Sequence, residues 1–225
     1  MKINEIFKSI SGEAKNAGYP TTFIRTYGCN LRCSYCDTMY ALEGDDYKIM
    51  TPREIVEKCD NLGVSRVIFT GGEPLIQPDA PELVDLLCNN NYEVEIETNG
   101  AVNLNEFHNK LKTNRKSSVS YTMDYKSISS EMNNKMINEN LSFLTSKDCL
   151  KFVVGSQEDL RQMHGILTMH ELTHGKIKAQ VFISPVFGKI EPAEIVDYIL
   201  DNGLHYCKVQ IQMHKVIWNP EKRGV

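Results

Sequence analysis

Runs of β-branched and aromatic residues recur along the chain, and several end in glycine or turn residues. They are TTFIRTYG (21–28), RVIFTGG (66–72), EVEIETNG (93–100), SYTMDYK (120–126), CLKFVVG (149–155), AQVFISPV (179–186) and KVQIQMH (208–214). Runs of this length and composition predict buried strands. Between them the apolar spacing changes to that of a helix. In TPREIVEKCDNLG, Thr51 supplies a cap, Pro52 opens the first turn and Gly63 stops the helix, with Ile55, Val56, Cys59 and Leu62 on one face. DAPELVDLLCNNN, SQEDLRQMHGILTMHELTHG and EPAEIVDYILDNG follow the same grammar.

Strands alternating with helices predict right-handed crossovers and a parallel sheet. Residues 101–119 and 127–148 are polar and weakly periodic, so short or irregular helices are expected there. The fold class is therefore α/β, an incomplete β/α barrel of about six or seven mostly parallel strands. With no linker or repeat in view, residues 1–225 are expected to form a single domain. In such folds function gathers where strands end at their C-termini. The most distinctive residues fall there: Cys29 to Asp37, Gly71 to Pro74, and Thr98 to Gly100.

Composition narrows the possibilities. The 225 residues are 41% hydrophobic, enough for a substantial core. Lys and Arg number 25 against 29 Asp and Glu, a formal charge of −4 that gives no reason to expect nucleic-acid binding. The first residues, MKINEIFKSISGE, lack the apolar core of a secretory signal, and no stretch approaches the roughly 18 apolar residues of a membrane span. A soluble, cytoplasmic protein is expected. Seven cysteines are present, three of them at 29, 33 and 36. In a reducing compartment such crowding indicates metal or redox chemistry and not a disulfide framework.

C-x3-C-x2-C suits zinc or an iron–sulfur cluster, both of which take soft thiolates. A structural zinc site would want a fourth ligand, and the spare Cys59 and Cys88 sit within predicted amphipathic helices. Cys59, Cys88, Cys149 and Cys207 are read as core fillers. With Tyr35 before its last cysteine, the motif resembles the signature of the radical SAM superfamily. That resemblance implies a [4Fe–4S] cluster on Cys29, Cys33 and Cys36, with one iron left for S-adenosylmethionine (SAM). One-electron cleavage of SAM then gives a 5′-deoxyadenosyl radical. Tyr35 and Asp37 fall beside the cluster. Thr70-Gly71-Gly72-Glu73-Pro74 resembles the superfamily's GGEP turn, in which the Gly72 backbone and Glu73 would receive the methionine amino group. Glu97-Thr98-Asn99-Gly100 is similar to a segment that lies along SAM, placing Glu97 and Asn99 among cofactor contacts.

More particularly, SISGEAKNAGYPTTFIRTYGCNLRCSYCDT, TGGEP, ETNG, MDYK and the closing QMHKVIW together resemble the 7-carboxy-7-deazaguanine synthase (QueE) family across nearly the whole chain. This implies ring contraction of 6-carboxy-5,6,7,8-tetrahydropterin to 7-carboxy-7-deazaguanine with release of ammonia, in queuosine and 7-deazapurine biosynthesis, with Mg²⁺ assisting. It also implies a flavodoxin or ferredoxin reductant and a homodimer. By resemblance, Thr38 is the Mg²⁺ ligand. Ile10, Ser11, Gly12, Arg25, Thr70, Gln212 and His214 are substrate contacts, Arg25 offering a fork to the carboxylate. Asp124, Lys126, Ser184 and Phe187 lie near SAM. Many relatives carry Gln where this chain has Ser11, and Ser where it has Asp124. Gln212 and His214 are placed on one face of the last predicted strand.

Two other readings compete. A glycyl-radical activase shares the cysteine spacing but commonly carries further cysteine clusters, which this chain lacks. His170-Glu171-Leu172-Thr173-His174 spells H-E-x-x-H, the zinc metalloprotease motif. It falls in the last turn of a predicted helix, just before Gly175, with no evident third ligand, where histidines commonly favour the helix dipole and face solvent.

Overall fold

The computed structural model describes residues 1–225. The chain runs β1 (Lys2–Ile10), β2 (Pro20–Thr26), β3 (Lys48–Ile49), α1 (Pro52–Leu62), β4 (Arg66–Gly71), α2 (Ala80–Asn89) and β5 (Glu93–Thr98). It continues α3 (Leu104–Lys110), β6 (Val119–Lys126), α4 (Glu139–Phe143), β7 (Cys149–Val154), α5 (Gln157–His174), β8 (Gln180–Pro185), α6 (Pro192–Asp201), β9 (Cys207–Val209) and α7 (Met213–Ile217). Nine strands form one open sheet in the order β3-β1-β2-β4-β5-β6-β7-β8-β9. From β2 through β4 to β9 neighbouring strands are parallel, which is the predicted incomplete barrel. β1 and β3 are antiparallel additions at one edge. No helix is long and apolar enough to cross a membrane.

Local signals act as read. Thr51 and Glu54 form a reciprocal capping box on α1, and Gly63 ends it in the left-handed region at φ 69°. Between β5 and β6, and between β6 and β7, the helices are indeed short: α3, α4 and single 3-10 turns. The last strand differs from expectation. β9 stops at Val209, so Gln212 caps α7 and His214 lies within it. They are not alternate residues of a strand. The physical reason is that β9 pairs only with β8, over Cys207 to Val209, and has no neighbour on its other side to extend it.

The strands separate their two faces sharply. Val67 and Phe69, Val94 and Ile96, Tyr121 and Met123, Leu150 and Phe152, Val181 and Ile183 join the core that packs beneath the helices. Their alternates point the other way. That second face carries Arg25, Thr70, Glu97, Asp124, Lys126 and Lys151, which line one large cavity. Its polarity is costly to build and serves no packing purpose.

Candidate active site

The cavity has a volume of about 830 Å3, with room for a nucleoside-sized cofactor and a small bicyclic ring. The loop after β2 brings Cys29, Cys33 and Cys36 to its rim, all partly accessible. Burial pushes all three thiols up, Cys33 to about 11, so each would lose its proton on binding iron. The Leu31 N–H and the Asn99 side-chain amide donate to Cys29 Sγ at 3.3 and 3.4 Å, the kind of donors that tune cluster sulfurs. No three His, Cys, Asp or Glu side chains are arranged to hold a single ion. Cys59, Cys88 and Cys149 are buried and Cys207 half-buried, all outside the cavity wall, so no fourth thiol closes the set. The donor set fits a cluster with one open corner and does not fit a closed zinc site.

The turn after β4 packs tightly under this loop. Gly72 N–H donates to Thr26 O at 3.1 Å and Glu73 N–H to Gly28 O at 2.9 Å. A Cβ on Gly72 would lie 2.0 Å from Gly28 O, so glycine is required there for close approach. Glu73 does not line the cavity. Its carboxyl is fully buried outside the cavity wall and accepts from Thr98 Oγ1 (2.9 Å), Asn99 N (2.7 Å) and Leu75 N (3.1 Å). It ties the turn after β4 to the end of β5. Burial outweighs these donors and pushes it up to about 7.

Of the other anticipated cofactor contacts, Tyr35, Asp37, Gly72, Glu97, Asn99, Asp124, Lys126 and Phe187 line the cavity. Tyr35 Oη donates to Val153 O at 3.3 Å. Lys126 Nζ pairs with Asp124 Oδ2 at 2.8 Å, and burial, the largest influence, is overcome by Asp124 so that the ammonium is held above its usual range. Glu97 accepts from Thr70 Oγ1 at 2.8 Å and is pushed up to about 7 by burial. Ser184 does not reach the cavity: it is fully buried, its Oγ is unpartnered, and Val153, Val186 and Phe187 form the wall on that side.

On the substrate side, Ile10, Gly12, Arg25, Thr70, Gln212 and His214 line the cavity, and Ser11 does not. Ser11 is buried, and its hydroxyl donates to Glu13 O at 3.1 Å, a turn-forming role. Arg25 Nε is paired with Glu5 Oε1 at 2.7 Å, which orients the guanidinium. Thr38 precedes the 3-10 turn Met39–Ala41 without capping it, and its hydroxyl donates to Asp37 Oδ1 at 2.9 Å. His214 packs on Gly12, where a Cβ would come within 2.4 Å of His214 Nδ1, and burial lowers the imidazole below its usual range. Glu13, Lys151 and Lys215 are also in the wall and were not anticipated. Lys151 was visible as the one charge in the apolar run CLKFVV.

The H-E-x-x-H motif forms no site. His170 is buried, with Nε2 3.2 Å from Ser142 Oγ and Nδ1 3.0 Å from Gly175 O, closing the end of α5. Of the two histidines, only His174 faces solvent, as expected for a last-turn histidine.

Comparison with known proteins agrees with this geometry. A family profile described as the radical SAM superfamily matches residues 23–179. A 7-carboxy-7-deazaguanine synthase of Clostridium acetobutylicum is 47% identical over 226 residues, spanning 100% of this chain and 99% of that protein. One from Methanospirillum hungatei is 40% identical over 98% of this chain and 86% of its own length. Among solved structures, QueE from Escherichia coli has the same fold, with a TM-score of 0.73 at 23% identity over 95% of this chain and 94% of that one.

Proposed function

The chain belongs to the 7-carboxy-7-deazaguanine synthase family of the radical SAM superfamily, and on that premise we propose how its cavity performs the reaction. The substrate in this reading is 6-carboxy-5,6,7,8-tetrahydropterin, which loses ammonia as its ring contracts to 7-carboxy-7-deazaguanine. When bound, a [4Fe–4S] cluster with SAM supplies the radical that removes a substrate hydrogen. Cys29, Cys33 and Cys36 would hold the cluster, and the tight Gly72–Gly28 contact fixes their loop against the sheet. Lys126, Asp124 and Asn99 would hold SAM along the rim, with Tyr35 and Phe187 as apolar walls.

Arg25, oriented by Glu5, binds the substrate carboxylate through the guanidinium nitrogens that Glu5 leaves free. The Thr38 hydroxyl would serve Mg²⁺, which takes its remaining oxygens from water and substrate. His214, neutral near pH 7 through burial, can accept a hydrogen bond from the ring. The partly exposed cysteine rim leaves an approach for an electron donor such as flavodoxin or ferredoxin. Residues 1–225 are read as one domain because a single sheet runs through them. A cytoplasmic homodimer is supported by family resemblance.

The observation that carries this reading is the convergence of three thiols, Arg25 and Thr38 on one cavity. The test is anaerobic reconstitution with iron and sulfide, followed by SAM, reductant, Mg²⁺ and the carboxy-tetrahydropterin. Formation of 7-carboxy-7-deazaguanine with one ammonia per turnover is expected. Protein that assembles its cluster and cleaves SAM yet yields no deazaguanine would overturn the substrate assignment.

A further inference from the structure

One part of the cavity wall is built around an ion pair that the roles above do not use. Lys151 lies on β7, whose residues are all buried, and donates to Glu13 Oε2 at 2.9 Å. Both side chains are nearly buried, 11% and 12% exposed, and both line the cavity. The second oxygen, Glu13 Oε1, is buried and has no hydrogen-bond partner. A carboxylate oxygen left in this condition keeps its desolvation penalty uncompensated, and a well-packed apolar pair would be no less stable than this ion pair. Folding alone gives no reason to keep it.

The backbone that presents Glu13 is fixed from two sides. Gln210 brackets Ala14, accepting from its N–H at 2.6 Å and donating to its carbonyl at 3.2 Å, and Met213 N–H donates to Gly12 O at 3.1 Å. Ala14 also packs against Cys149 and Phe182. Such clamping preorganises a side chain for a ligand. Around the pair stand Asp124, whose Oδ2 is 3.9 Å from Lys151 Nζ and whose Oδ1 is also orphaned, and Glu97.

An acceptor with no partner beside a fixed ammonium complements a ligand edge that offers N–H donors next to a carbonyl. The 2-amino, ring N–H and carbonyl edge of a guanine-type pyrimidine has that order, and ring contraction elsewhere in the molecule leaves it untouched. Resting on the proposed function, we infer that Glu13, held by Lys151, is the specificity-determining residue. It accepts the 2-amino and adjacent N–H groups of substrate and product, while Lys151 donates to the neighbouring carbonyl. A 2-oxo analogue would set oxygen against oxygen at Glu13 and be rejected.

The test uses reconstituted holoenzyme with SAM and compares equilibrium affinity for 7-carboxy-7-deazaguanine with that for its 2-oxo counterpart, 7-carboxy-7-deazaxanthine. The native protein should favour the amino compound by roughly 10- to 100-fold. Glu13→Gln, whose amide donates to a 2-oxo group, should erase or invert that preference while iron content and SAM affinity stay unchanged. Should Glu13→Gln not assemble its cluster, Glu13→Asp keeps the charge beside Lys151 and withdraws the acceptor by one methylene, with the same loss of preference expected. Equal affinities in the native protein, or a preference preserved in the variant, would overturn the inference. Turnover by the native enzyme, followed in parallel, reports on the proposed function separately.

Discussion

Replacing Gly72 by alanine measures how closely the cysteine loop must sit on the turn after β4. The added Cβ would lie 2.0 Å from Gly28 O, 2.5 Å from Gly28 C and 2.9 Å from Leu42 Cδ2. Leu42 can swing aside, but the Gly28 peptide cannot. It is held by Gly28 N–H donating to Ala41 O at 2.8 Å and by Glu73 N–H donating to Gly28 O at 2.9 Å. Restoring ordinary contact requires the two backbones to separate by about 1.4 Å, which breaks the Glu73–Gly28 bond. Overpacking costs about 1–3 kcal/mol. An amide left unsatisfied costs about 1–3 kcal/mol more. Together these come to roughly 2–6 kcal/mol, a large share of a typical domain's stability.

Urea unfolding of the metal-free protein reads the stability loss, and iron content after anaerobic reconstitution reads the displaced loop. Gly18→Ala is the control, because Gly18 has positive φ but nothing within 4 Å of its Cβ position, so only about 1–2 kcal/mol of backbone strain is expected. A Gly72→Ala protein as stable as the control and carrying a full complement of iron would refute the reasoning.

The remaining predictions concern charge. Glu73 is protonated in the folded metal-free protein up to about pH 7 but ionises near the ordinary carboxylate value of 4.5 when unfolded, so the folded state binds the extra proton. Stability should therefore fall as pH rises across that window, by about 3 kcal/mol in all, and Glu73→Gln should flatten the slope, leaving the part of like sign due to Glu97. Superimposable pH profiles for the two proteins would contradict this. Lys126→Met removes the closest partner of the nearly buried Asp124, and a loss of about 3 kcal/mol in chemical denaturation is expected; the Lys126→Met, Asp124→Leu double variant should recover most of it. His174→Ala should change stability by less than about 0.5 kcal/mol and leave zinc content at background by elemental analysis, since His174 is an exposed last-turn residue.

The parallel strands were legible because each presents an apolar alternate set to the helices, and the helices because Thr51, Pro52 and Gly63 punctuate them. β1 was not, since KINEIFKSI buries only Ile3 and leaves its other residues partly or fully open. The cysteine loop and the glycine turn carried their chemistry in spacing alone. The place of Glu73 was not legible, because spacing cannot say which way a carboxyl turns, and here Thr98 and Asn99 hydrogen-bond to it. Ser184 is fully buried at a depth that no pattern encodes. Glu13 sat in plain view within ISGE, but its partner Lys151 lies 138 positions away, and the pairing exists only once the sheet has curled.

The clamp on Ala14 has a consequence for biosynthesis. Gln210 is translated 196 residues after the segment it secures, while the cysteine loop, the glycine turn and their strands are all complete before α5 is made. On the ribosome, iron can therefore be gripped well before the pterin floor is rigid. A nascent chain stalled between α6 and β9 should emerge competent to hold metal but blind to the ring it is meant to contract.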